Sequence, residues 1–192
     1  MVIILLVNNF LFFLLTQIQF CPDLPFRYWN DYSEEERQSI LSLPAVEKDA
    51  IDYYYGTMPV SDDDRTFTLL DELTEYVGDD RIKAFYLDVF NQILQKSDGA
   101  LAEVMGLYCG QMVLSSPRFV LYYLVTDLKM YRLYTFHIGA ELSLCIDLEH
   151  FTRDHKSYEW FCEQVKSSFL PGNAIPKYFL KAIEKKRIEL SK

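Results

Sequence analysis

The sequence predicts an all-α chain, and three observations carry that prediction. From residue 33 onward, apolar residues recur at i, i+3, i+4 and i+7 in segment after segment. The breaks between segments carry helix-capping and helix-ending residues, among them Ser33, Gly56, Asp98 and Asn173. No sustained apolar–polar alternation bounded by hairpin-turn residues occurs, so no sheet is expected. With 192 residues, half of them hydrophobic, the chain has the length and apolar content of one folded domain and not of a disordered one. The expectation is a single domain of about eight helices over residues 33–192, packed as antiparallel hairpins. A bundle is favoured over a short irregular α-solenoid, because residue identities do not recur at a fixed interval.

Residues 1–20 stand apart. Fifteen of the twenty are apolar and none is charged. A core helix normally keeps a polar face, so this segment is read as a secretory signal peptide, with an uncleaved anchor as its rival. Export to the periplasm, cell envelope or exterior follows as the expected address. The basic n-region and a small-residue cleavage site before Cys21 are both missing from the usual pattern. Residues 21–32, with two prolines and no helical period, are expected to be an extended lead-in.

The elements follow in order. Ser33 and Glu36 have capping-box spacing, so a helix is predicted from about Glu34 to Leu43. Pro44 suits a first helical position, and a second short helix is expected to run to Tyr55 and close at Gly56. Residues 57–65 form a polar loop whose Asp62, Asp63 and Asp64 can cap the next helix. That helix bears Phe67, Leu70, Leu73, Thr74 and Val77 and is expected to stop at Gly78. Residues 79–97 carry one unbroken stripe, Ile82 to Leu94. A turn over Lys96–Gly99 precedes a second stripe, Leu101 to Val113, so the two are predicted to form a helical hairpin. Pro117 opens another helix, and Thr126 and Asp127 can cap a longer one through about Ile146. Ser157 to Phe169 carries a further stripe, broken at Pro171-Gly172-Asn173, and Pro176 is expected to start the last helix.

Charge is unevenly spread. The whole chain has 28 acids against 19 bases, a net charge of −9. Residues 31–80 hold fifteen acids and three bases, a balance of −12. Residues 166–192 hold seven bases and two acids, a balance of +5. This acidity does not suit a nucleic-acid partner, and contact with a membrane is expected only through residues 1–20 if they are retained. A basic protein fits best.

Sites for chemistry are sparse. His137, Glu141 and Cys145 share a helical face at i, i+4 and i+8, and His150 and His155 follow at a helix junction. Imidazole, carboxylate and thiolate form a sensible zinc set, which makes a metal-assisted hydrolase the alternative reading. A packed, hydrogen-bonded histidine is the commoner outcome beside Phe136 and Ile138. The run Asp62–Asp64 fails as a calcium loop, because its sixth position is Phe67 where a glycine is required. There is no G-x-S-x-G, no H-E-x-x-H, no C-x-x-C and no phosphate-binding glycine loop. No catalytic residue and no cofactor is expected. Gly106, Gly110 and Gly139, inside helical segments, read as close helix crossings.

Cys21, Cys109, Cys145 and Cys162 allow three disulfide pairings, and buried thiols are an equal expectation. Aromatic residues make up 16% of the chain. Tyr53-Tyr54-Tyr55 places adjacent rings on different helix faces, so not all can be buried. The leading expectation is therefore a non-enzymatic protein-binding module, with Tyr53, Tyr54, Asp62, Asp63 and Asp64 as candidate contact residues on an acidic face. A membrane-tethered structural protein is a further alternative.

Overall fold

The computed structural model describes residues 26–144 and 157–191. Residues 1–20, read as the leader, lie outside that range, as do Cys21, Cys145, His150 and His155. Among the described residues there are nine α-helices, one short 3-10 turn and no strand. They form one compact arrangement.

The lead-in is less extended than its prolines suggested. A 3-10 turn forms at Trp29–Asp31, and Trp29 is only 3% exposed. Its indole lies 4.9 Å from the Phe85 ring. The Tyr28 hydroxyl donates to the Phe119 carbonyl oxygen at 3.2 Å. Aromatic burial, not backbone pattern, holds this segment down.

Helix α1 spans Glu34–Leu41 and begins with the capping box expected of Ser33 and Glu36. It ends two residues early. Pro44 does not open the next helix; it sits in a turn, with the Val46 amide donating to the Leu43 carbonyl. The turn buries Val46 against the core, and α2 starts only at Lys48, running to Tyr54. Gly56 closes it as expected. With φ at +73°, Gly56 lets its own amide reach the Tyr53 carbonyl and the Thr57 amide reach the Asp52 carbonyl.

Helix α3 spans Asp64–Glu75 and is capped by Asp63, whose carboxylate accepts from the Thr66 amide at 2.8 Å. It ends before Gly78 because Tyr76 turns into an extended conformation. The Tyr76 ring packs edge-on against Tyr86 at 5.2 Å, and its hydroxyl accepts from the Asp79 amide. Val77, expected on the buried stripe, is left 69% exposed.

Helices α4 (Asp80–Lys96) and α5 (Gly99–Ser115) match the two predicted stripes. Every stripe residue of α4 is buried, and every one of α5 except the half-buried Val104. The predicted hairpin between them does not close along its length. The two helices diverge from the turn and both pack on α3. The reason is written on α5, which carries a single charge, Glu103, and is apolar nearly all round. Such a helix is stable only when covered on several sides. Here α3, α6, α7 and α8 cover it.

Pro117 begins α6 (Pro117–Thr126), and Asp127 caps α7 (Leu128–Leu144) by accepting from the Lys129 and Met130 amides at 3.0 Å. Helix α8 runs Tyr158–Ser167 from its Ser157 cap. The last helix, α9 (Ala174–Leu190), starts two residues before Pro176. Asn173 supplies the cap, and Pro176 falls in the first turn, where no backbone donor is needed.

The most extensive packing is α9 on α7 and α7 on α5, followed by α5 on α3 and α3 on α4. Two glycines permit the closest approaches. A Cβ on Gly106 would lie 2.5 Å from Glu141 Cβ and 2.6 Å from the His137 carbonyl oxygen. A Cβ on Gly139 would lie 2.6 Å from Lys186 Cβ. These are the helix crossings the sequence suggested. Phe85, Tyr86, Phe90, Tyr134, Phe161 and Phe179 are the largest fully buried side chains. Burial of each contributes about 1.5–3 kcal/mol.

Candidate functional site

The acidic segment folds into α1, α2, α3 and the loops between them. Adjacent tyrosines step about 100° around a helix, so the triplet is divided. Tyr53 is 7% exposed, with a buried hydroxyl that lacks a hydrogen-bond partner. Tyr54 packs edge-on against Trp29 and Phe85. Neither presents a free contact surface, which corrects the sequence expectation for both. Tyr55 takes that place at 53% exposed.

The Tyr55 hydroxyl accepts from Gln38 Nε2 at 3.0 Å, and the same amide donates to Glu34 at 2.8 Å. An exposed ring is thereby fixed beside the acidic first turn of α1, whose Glu34 and Glu35 are exposed. The helix N-terminus tolerates those carboxylates because its dipole favours negative charge.

The three aspartates separate in role. Asp63 is the α3 cap, and its hydrogen bonds to Ser61 and the Thr66 amide hold its carboxyl below the usual range. Asp64 is exposed in the first turn of α3. Asp62 lines a cleft of about 510 Å³ between the 56–62 loop and the α4–α5 turn. Tyr53 and Lys96 share that cleft, and the Lys96 ammonium sits 5.3 Å from the Tyr53 ring centroid.

Several acids of this region are paired, as Glu36 is with Arg27 and Asp49 with Arg65. Others crowd one another. Glu72, partly buried on α3, has its carboxyl pushed up by desolvation and then by the neighbouring Glu47, Asp49 and Asp71. Like charges from α2 and α3 therefore converge in space. The basic carboxyl-terminal helix does not neutralise them. Arg187 pairs with Glu184, and Lys185 and Lys186 with Glu189, all within α9. Among the described residues no ion pair joins 31–80 to 166–191.

His137 and Glu141 do share a face of α7, the one that crosses α5 at Gly106. His137 is half-buried and hydrogen-bonded to the Ala102 carbonyl; burial lowers its pKa and that bond partly opposes the shift. This is a packed histidine. The other metal candidates, Cys145, His150 and His155, lie outside the described residues. Among the described residues no group of three or more His, Cys, Asp or Glu is placed to hold a metal ion. Cys109 and Cys162 are free thiols, the first fully buried.

Two features were not read from the sequence. A buried polar pair ties α4 to α7, the Tyr134 hydroxyl donating to Asn91 Oδ1 at 3.0 Å. A largely apolar cleft of about 1140 Å³ lies between α8 and α9. Its one sequence signal was Leu170, an apolar residue directly before the Pro171-Gly172 break, now 83% exposed. No helix among the described residues is long and apolar enough to cross a membrane.

Comparison of the chain with protein-family models, with curated proteins and with solved structures finds no match.

Proposed function

We propose that this protein is a non-enzymatic binding module whose acidic, Tyr55-bearing face takes a basic surface of another protein. The observation that carries this reading is the Tyr55–Gln38–Glu34 arrangement. It holds a large, rigid, exposed ring against uncompensated carboxylates. Tyrosine in that setting supplies contact area at low entropic cost, and the surrounding field speeds encounter with a cation-rich partner. The crowding of Glu47, Asp49 and Asp71 around Glu72 adds to that field.

The same reading takes residues 1–20 as the export signal. The mass of the mature amino terminus tests that part on its own. The binding part is tested by affinity capture from an envelope or secretome extract at about 20 mM and about 500 mM salt, conditions that differ several-fold in screening length. A triple substitution, Glu34→Gln, Glu35→Gln and Tyr55→Ala, serves as control. The expected result is a basic protein retained at low salt, released at high salt and absent from the control. A catch indifferent to salt, or no catch, removes the proposal.

A further inference from the structure

The cleft between α8 and α9 is the largest described in the molecule. Its floor is apolar, built from Phe169, Pro176 and Leu180, and Leu170 stands at its edge. Four charged residues line it. Glu184 is held by Arg187, with Nε donating at 2.9 Å. Glu163, Lys166 and Lys177 form no ion pair with another described residue. The cleft belongs to the 166–192 segment, whose balance is +5. It therefore combines an apolar trough with a basic setting, and asks for an apolar or aromatic side chain flanked by carboxylates.

The molecule carries such a group on its other side. Tyr55 is exposed and is fixed by Gln38 next to Glu34, with Glu35 exposed on the same helical turn. We infer that the α8–α9 cleft receives the Tyr55 knob of a second copy of this chain. The inference rests on the acidic-face reading above and names one partner for that face.

Knob and cleft are different surfaces on different helices, so the contact is not self-complementary. It is head-to-tail, and each copy keeps one free knob and one free cleft, so assembly continues past two copies. The net charge of −9 does not forbid it. At about 150 mM salt the screening length is about 8 Å, so only facing charges count, and here they are opposite in sign.

Sedimentation equilibrium of the full chain tests this at about 150 mM and about 1 M salt, over the micromolar to millimolar range of small interfaces. The variants are Leu170→Glu, which spoils the cleft, and Tyr55→Ala, which removes the knob. Both side chains are exposed, so each variant is expected to fold, and far-ultraviolet circular dichroism checks it. Wild-type mass is expected to rise with concentration past two copies, and to fall back at high salt. Each variant alone stays at one copy. Mixed in equal amounts, they settle at two, because the intact knob of one enters the intact cleft of the other.

Wild-type chain that stays at one copy throughout overturns the inference. So does a limit at two copies, a variant that assembles like wild type, or a mixture that fails to pair. If the acidic face captures a basic protein while the wild-type chain stays at one copy, the functional reading stands and this inference alone falls.

Discussion

Replacing Gly106 by alanine puts the α5–α7 crossing to a direct test. In an ordinary helix interior the change is favourable, since glycine costs about 1 kcal/mol relative to alanine. Here the new Cβ would meet the His137 carbonyl oxygen at 2.6 Å and Glu141 Cβ at 2.5 Å. The first of these is backbone and cannot rotate away. Reaching the 3.4 Å of ordinary contact requires the helices to part by about 0.8 Å along that line. The separation opens the packing of Tyr108, Cys109 and Ile138, all buried beside the crossing. Overpacking of this kind costs about 1–3 kcal/mol, with lost contacts at the high end. After the propensity gain is subtracted, a net loss of about 1–2 kcal/mol is expected. Equilibrium urea denaturation measures it, as a lower midpoint with an unchanged slope. A Gly106→Ala chain as stable as wild type, or more stable, would refute the close crossing.

Other consequences follow from the same geometry. Ser33→Ala removes the acceptor for the Glu36 amide and should cost about 1 kcal/mol by the same denaturation assay. Tyr86→Phe strands the Glu47 amide and the Ala45 carbonyl, which the hydroxyl serves at 2.9 and 3.3 Å; a loss of about 1–2 kcal/mol is expected. The Arg27 guanidinium, with help from the Ser33 amide, lowers the Glu36 carboxyl to about 2. A group depressed on folding stabilises above its unfolded pKa of about 4.3, and that contribution is lost as pH falls through the folded value. The stability difference between wild type and Glu36→Gln should therefore be constant above about pH 5 and shrink steadily toward about pH 2 in an acid-denaturation series. A difference that stays constant across that range would mean the pair makes no pH-linked contribution.

Local rules were legible where one residue type answers one local need. The Ser33 capping box, the Gly56 closure, the Asp127 cap and the α4 stripe all follow from hydrogen-bond accounting or helical period within a few residues. Legibility failed where a distant ring decided the outcome. Tyr76 leaves the helical path to stack on Tyr86, so α3 stops early and Val77 faces solvent. The turn at Pro44 buries Val46 and delays α2. The candidate contact residues show the same split. Periodicity required that one of three adjacent tyrosines face outward, but only the packing of Trp29 and Phe85 selected Tyr55.

By itself the sequence determined that this chain is helical, where most of its helices lie, and that its charge is divided between an acidic early segment and a basic end. These properties depend on neighbours three or four residues apart and on composition, both of which can be read in one dimension. Tertiary structure decided that α5 is surrounded and does not pair with α4, and that α9 keeps its basic groups to itself. It also decided that a cleft opens between α8 and α9. Those outcomes depend on which apolar face finds which other across long stretches of chain, and burial is blind to sequence separation.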